Sequence, residues 1–157
     1  MAKERYDQLD VDTQFRQAIG AIIETRYDVM MQHLQGTLAG RDPEDLHQMR
    51  VWSRRLRAAM DVAGDCFPSR YRYYHKTIKQ LTDALGEVRD CDVLRNALTT
   101  YRNGRPKEDR AAVNLLLQDL RVRRELARVE MLTFFERLEH ERFDVRFRGF
   151  MAEQTIG

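Results

Sequence analysis

The chain has 157 residues, of which 43% are hydrophobic and 33% charged, and its formal net charge is only +2. This length suits one domain with a single core. The small net charge excludes a bulk polycation, so any anion binding depends on how the charges are distributed. Two cysteines are too few for a disulfide framework or a zinc site. Eight glycines and three prolines leave little room for the turns of an all-β protein.

The sequence also predicts the cellular location of the protein. No apolar run approaches the roughly 20 residues that cross a membrane. The first ten residues are too charged for the apolar core of a secretory signal. We therefore expect a soluble, cytoplasmic protein without membrane association.

The N-terminal part of the chain predicts a polar segment followed by one long helix. Residues 1–12 are polar and expected to be flexible, and residues 13–157 are expected to form a single domain. From residue 13 to residue 38 the apolar side chains recur at steps of three, four and seven, which is the spacing of one helix face. This stripe consists of Phe15, Ile19, Ile22, Ile23, Val29, Met30, Leu34 and Leu38.

The second predicted helix has clear boundary signals. Asp42 suits an N-cap and Pro43 the first helical position, while Asp45 in the first turn favours the helix dipole. The helix is expected to run to residue 63, because Gly64 follows. A third helix is predicted over residues 69–101. Gly86 inside it costs about 1 kcal/mol relative to alanine, which indicates close approach of another helix or a ligand.

Residues 103–106, Asn-Gly-Arg-Pro, form a break, and a fourth helix is predicted over residues 107–139. Its candidate core is Val113, Leu116, Leu117, Leu120, Leu126, Leu132, Phe135 and Leu138. A short helix in residues 142–157 carries three phenylalanines that need cover, either from the bundle or from a partner chain. The fold class is therefore all-α, an antiparallel bundle of four long helices with a short C-terminal helix.

The second helix carries an unusual basic face. Residues 46–60 hold one histidine, four arginines and no acid. At about 100° per residue, one side of the helix is basic and the opposite side, with Trp52 and Leu56, is apolar. Arg55 lies off to the side and is expected to be an ordinary surface residue. The basic side consists of His47, Arg50, Arg54 and Arg57.

Arginines at steps of three and four repel one another, so their counter-charge must come from another helix or from a ligand. Similar basic rows recur in the third helix, where Lys76 and Lys79 follow Arg72, and in the fourth, where Arg124 and Arg128 follow Arg121. Together these rows predict an anion groove, and the planar arginine fork suits phosphate oxygens. Two carboxylates of the third helix, Asp90 and Asp92, are expected to orient the arginines.

At these residues the chain resembles the CHAD family, the conserved histidine α-helical domain. The resemblance covers about residues 10–140 and is carried by two separated motifs, residues 47–57 (HQMRVWSRRLR) and residues 79–93 (KQL, then LGEVRDCDV). It implies an all-helical protein, non-enzymatic by itself, that binds inorganic polyphosphate through a basic surface. Carried over by position, the ligand-facing residues are His47, Arg50, Arg54, Arg57, Lys79 and Arg89, with a looser match at Arg124 and Arg128.

The chain also departs from the family pattern. The resemblance implies a second helical bundle with its own histidine and arginine helix, and the sequence is expected to contain only the first bundle. A homodimer, with the aromatic tail at its interface, is therefore a hypothesis for completing the groove. The resemblance also makes polyphosphate granules a possible location.

Other functions stay open at this point. A nucleic-acid binder, or a protein for another phosphorylated ligand, would use the same cations, although aromatic residues are poorly placed on the basic face. A metal-dependent phosphohydrolase built on His47, Asp90 and Asp92 is less favoured, because the many arginines would repel a metal ion. We therefore expect no catalytic residue, no metal and no cofactor, and a purely structural helical protein is the remaining alternative.

Overall fold

The computed structural model describes the backbone of residues 2–156 and the side chains of residues 11–156. The described backbone is helical throughout apart from short turns, which confirms the all-α class. The helices are α1 (Ala2–Gln32), α2 (Leu34–Ala39), α3 (Pro43–Ala63), α4 (Tyr71–Asn103), α5 (Arg110–His140) and α6 (Phe143–Thr155). Short 3₁₀ turns at Gly64–Cys66 and Lys107–Asp109 precede α4 and α5.

The predicted boundaries hold best for α3, whose ends coincide with the prediction. The Asp42 carboxylate accepts a hydrogen bond from the backbone N–H of Glu44 at 2.9 Å, as an N-cap should. The first helix differs. It begins at Ala2 and is interrupted at His33, where the backbone N–H of His33 donates to the carbonyl of Met30 in a tighter turn. The flexibility expected of residues 1–12 stays a prediction, since the side chains before residue 11 lie outside the described part.

Consecutive long helices pack against each other, α1 on α3, α3 on α4, and α4 on α5. In the last pair Asp92 meets Arg124, and Arg102 meets Asn114, so α4 and α5 run antiparallel. Helix α6 contacts both α1 and α5 and fills the space between them. A closed antiparallel bundle of four helices stays a prediction, because α1 and α5 touch each other at most marginally.

The core is built from the apolar seams of α1, α3, α4, α5 and α6. Phe143, Phe147 and Phe150 are all buried, so the bundle itself covers the aromatic tail. Apolar positions were misassigned on two helices. Phe15 and Ile22 on α1 are each 42% exposed, and Leu116 and Leu126 on α5 are more exposed still. Both helices carry apolar residues on two sides, and only one side of each faces the core.

Among the residues that the structure describes, no helix is long and apolar enough to cross a membrane.

Candidate functional site

Helix α3 is anchored by its apolar side and presents its basic side outward. Leu46, Met49, Leu56 and Met60 are buried, which fixes the rotation of the helix about its axis. Arg54 is therefore exposed, and Arg50 and Arg57 are half-buried at the border with α4. The periodicity that predicted the two sides of this helix is thus reproduced in the structure.

A pocket of about 410 Å³ lies between α3 and α4. Three arginines of the predicted basic side, Arg50, Arg54 and Arg57, line it from α3, and Thr82 and Asp83 line it from α4. The structure therefore brings these three guanidinium groups to one place.

Arg50 packs directly against α4. Its side chain rests on Gly86 of α4, where a Cβ atom would stand only 3.2 Å from Nε of Arg50. The close approach expected at Gly86 is thus made by an arginine side chain from α3. The terminal NH2 nitrogen of Arg50 is 3.7 Å from the Asp90 carboxylate, which is itself well exposed.

Two polar atoms of the basic side are buried and lack a hydrogen-bond partner among the described residues, Nε of Arg50 and Nδ1 of His47. A buried donor without a partner costs about 1–3 kcal/mol. The two atoms belong to the first two members of the basic row, at its N-terminal end. The structure thus keeps unsatisfied hydrogen-bonding capacity beside the pocket.

Most of the remaining predicted cations form no ion pair or hydrogen bond within the described part of the protein. Within the described side chains, no hydrogen bond or ion pair holds Arg54, Arg57, Lys76, Lys79 or Arg89. Four of these belong to the two motifs that carry the family resemblance, and Lys76 belongs to the α4 row. Cations without an ion-pair partner on two adjacent helices are available to bind an anion.

Asp92 forms the centre of a separate, buried ion-pair cluster. Its side chain is 1% exposed, and it accepts a 2.6 Å hydrogen bond from Nε of Arg124. Arg95 approaches the same carboxylate at 3.4 Å. The hydrogen bond to Asp92 raises the pKa of the Arg124 guanidinium. Arg124 is therefore held by an internal acid, and its part in a ligand site, like that of Asp90 and Asp92, stays a prediction.

Arg128 is also occupied by the protein itself. Its two terminal nitrogens donate to the carbonyls of Thr37 and Leu38, at 3.4 and 2.9 Å, at the C-terminal end of α2. Gly40, at φ 66°, ends this helix in the left-handed conformation and leaves room for the guanidinium. The geometry gives Arg128 a helix-capping role, and its contact with a ligand stays a prediction.

Arg55, which the sequence placed outside the site, packs elsewhere. Its guanidinium lies 4.5 Å from the ring centre of Trp52, and its backbone carbonyl accepts a hydrogen bond from Arg26. The indole of Trp52 is thus half-buried between α1 and α3 and covered by a cation.

Two acids that were not among the predicted site residues border the pocket. Asp61 and Asp83 both line it, and Asp61 also meets Nε2 of His75 at 2.6 Å. Their spacing contained the signal, since Asp61 lies four residues after Arg57 and Asp83 four residues after Lys79. These acids make the lining of the pocket mixed in charge.

The described side chains contain no group of three or more histidine, cysteine or acidic residues that could hold a metal ion. Burial raises the pKa of the Cys91 thiol, and the neighbouring Asp92 adds to this, so the thiol is protonated at neutral pH. The arginine-lined pocket is suited to electrostatic binding of an oxyanion.

An all-helical domain with an arginine-lined pocket is the class that these observations define. A family model for the CHAD domain matches residues 21–156, nearly the whole chain, and the chain belongs to this family. Neither a curated protein nor a solved structure was found to match it.

Proposed function

We propose that this protein binds inorganic polyphosphate along the basic faces of α3 and α4. The observation that carries the proposal is the pocket shared by Arg50, Arg54 and Arg57, in which two of the three guanidinium groups have no partner among the described residues. Membership of the CHAD family supports this ligand, because the resemblance implies a polyphosphate binder. Arginine is suited to it, since its fork holds phosphate oxygens without losing its proton.

The extent of the cationic rows favours a polymeric anion over a single phosphate. From His47 to Arg57 the row spans about 15 Å, and from Lys76 to Arg89 about 20 Å, at 1.5 Å per residue. A single phosphate can contact only two or three of these side chains. A chain of phosphates can meet all of them in succession, and its affinity then rises with its length.

The same geometry argues against a single-stranded nucleic acid as the preferred ligand. Such binding gains about 1–3 kcal/mol per base from stacking on exposed aromatic rings. Trp52, the aromatic residue within the α3 motif, is half-buried and covered by Arg55. Competition between polyphosphate and a nucleic acid of similar charge tests this preference.

We further propose that the protein binds polyphosphate without cleaving it. The support is chemical, since the pocket is lined by three arginines, whose guanidinium groups are hydrogen-bond donors that stay protonated. Metal-dependent release of phosphate by a pure preparation would overturn this part of the proposal. The binding is proposed to take place in the cytoplasm, at polyphosphate granules, by a homodimer.

The decisive experiment compares two charge-reversed variants on a series of short, medium and long polyphosphate chains. Arg54→Glu/Arg57→Glu removes the pocket cations that lack partners. Arg105→Glu/Arg137→Glu makes the same change in net charge on exposed arginines elsewhere and is the control. We expect the pocket variant to lose at least about tenfold in affinity, equivalent to about 1.4 kcal/mol, with the control near wild type.

The dependence of polyphosphate affinity on salt concentration is an independent test of the same interaction. Affinity for the long chain should fall steeply as salt rises, because bound phosphates release condensed counterions. Equal losses in both variants would show that only the net charge matters, and the pocket would then be excluded as the site.

A further inference from the structure

Helix α1 carries a second apolar seam that does not face the core. Its core seam contains Ile19, Ile23, Tyr27 and Met30, all of them buried. A second seam lies roughly a third of a turn around the helix axis from the core seam. Its members are spaced by four, three, four, three and four residues, which is the heptad spacing of a coiled coil. The members of this outer seam are Val11, Phe15, Ala18, Ile22, Thr25 and Val29.

The outer seam is uncharged and open to solvent. Val11 is 58% exposed, and Phe15 and Ile22 are each 42% exposed. Among the described side chains of α1, burial begins only at Ile19, so the part of the helix that precedes it extends past the core. An aromatic side chain held on such an extension costs solvation free energy unless another surface covers it.

The outer seam is complementary to itself when two copies of α1 run antiparallel. In that arrangement each a-type position faces a d-type position of the other helix. Phe15 then faces Thr25, Ile22 faces Ala18, and Val29 faces Val11, so that every member of the seam meets another member. A single register satisfies all of these pairs at once.

This register also places the Phe15 side chain of each copy over a shallow pocket on the other copy. A shallow pocket of about 530 Å³ lies between α1 and α3, lined by Ile22, Thr25, Trp52 and Arg55 among others. Because Phe15 of one copy faces Thr25 of the other, its ring comes to lie at this pocket. The dimer thus contains this contact twice, once from the Phe15 of each copy, as a twofold interface requires.

We propose that α1 is the self-association surface of this protein, with two copies pairing their outer seams antiparallel. The paired length from Val11 to Val29 is about 27 Å at 1.5 Å per residue. The exposed apolar side chains of α5, such as Leu115, Val122 and Leu126, are the competing surface. Their row contains the charged residue Asp119, whereas every member of the α1 seam is uncharged.

The first test is the mass of the full chain by sedimentation equilibrium at concentrations up to about 200 µM, where association with a micromolar Kd is visible. Wild type should be dimeric. Phe15→Glu and Ile22→Glu should raise the dimer Kd at least about tenfold, because each buries a charge in the seam. Leu126→Glu, on the competing surface, is the matched control and should remain dimeric. A monomeric wild type, or dissociation by Leu126→Glu alone, would overturn the proposal.

The second test fixes the direction of the pairing and does not depend on destabilising substitutions. Val11→Cys and Val29→Cys are prepared separately, with Cys66 and Cys91 replaced by serine, and treated with a short bis-maleimide. Antiparallel pairing predicts cross-linked dimers when the two variants are mixed and little product from either alone. Cross-linking of each variant with itself would indicate parallel pairing and contradict the proposal.

This inference assigns the surface of the homodimer in the proposed function, and it does not rest on polyphosphate being the ligand. Phe15→Glu should bind polyphosphate with the intrinsic affinity of one basic face, because the seam and the pocket share no residue. Phe15→Glu should therefore lose dimerisation and keep polyphosphate binding. Arg54→Glu/Arg57→Glu should lose polyphosphate binding and keep dimerisation, so the two proposals can fail separately.

Discussion

Arg50 lies across Gly86, so that a side chain at residue 86 would press against the side chain of Arg50. A Cβ at that position would stand 3.2 Å from Nε of Arg50, closer than ordinary van der Waals contact. Glycine lowers the helix propensity in the middle of α4, but it leaves room for the side chain of Arg50 from α3.

Gly86→Ala should separate these two effects. The substitution gains up to about 1 kcal/mol of helix propensity, which the forced shift of Arg50 offsets, so the free energy of unfolding should change little. Polyphosphate affinity should fall several-fold, because the guanidinium is displaced. Gly149→Ala is the control, since nothing lies within 4 Å of a Cβ at that position of α6. It should stabilise the protein without affecting binding, and unchanged affinity in Gly86→Ala would contradict the role assigned to Arg50.

Asp92→Asn should be strongly destabilising. The substitution keeps the size of the side chain but removes the negative charge from a cluster that also contains Arg124 and Arg95. Removing one partner of a buried pair costs about 3 kcal/mol or more. Urea unfolding followed by circular dichroism measures this loss. In comparison, Asp119→Asn breaks an exposed pair with Arg123 and should cost less than about 1 kcal/mol.

Arg128→Ala should affect stability more than binding. It removes both hydrogen bonds to the carbonyls that end α2, and hydrogen bonds to a charged group contribute about 1.5–3 kcal/mol each at most. We therefore expect the midpoint of urea unfolding to fall while polyphosphate affinity stays within about threefold of wild type. If binding falls as far as in Arg54→Glu/Arg57→Glu with the fold intact, Arg128 contacts the ligand directly.

The protein should lose stability in strong alkali through its buried tyrosines. Burial, and then the charge of Asp144, raises the pKa of Tyr27, and burial also raises the pKa of Tyr71. A pKa that is higher in the folded state favours the protonated form, so this contribution is complete below the ordinary tyrosine pKa of about 10 and is lost progressively as the pH rises from there towards the folded-state pKa. The free energy of unfolding should therefore decrease between about pH 10 and pH 12.

Tyr27→Phe checks the assignment of that pH dependence. It removes the 2.9 Å hydrogen bond to Asp144, which costs about 1 kcal/mol at neutral pH, but it also removes one of the groups that must ionise. The variant should show a shallower loss between the same two pH values. A slope equal to that of wild type would show that other groups cause the alkaline transition.

Much of α3 was predictable because its signals are local. The Asp42-Pro43 start, the Gly64 end and the alternation of apolar and basic residues all lie within the helix. The interruption of the first helix at His33 was not, because it depends on a single tight turn and no glycine or proline marks it. Periodicity also could not choose between the two apolar sides of α1 or α5, since only the neighbouring helices determine which side is buried.

The sequence could not show which of the predicted site arginines are free and which are held by other residues of the protein. Charge pattern and family resemblance selected the arginines of α3, but they could not distinguish a free guanidinium from one held by the protein. Position 92 contained a clue, because it continues the apolar stripe of Leu81, Leu85 and Val88 along α4. An acid on a buried stripe requires an internal partner, and Arg124 is that partner.

Beyond the pair formed by Asp92 and Arg124, the two helices continue as a hairpin in which no described residue is buried until Val113. This tip is held by surface contacts and by the connection at Gly104, and it takes no part in the core. Sequence there is free to vary without repacking, and the tip is a natural place to insert a reporter or a fused domain. The hairpin end is thus the part of the chain most open to engineering.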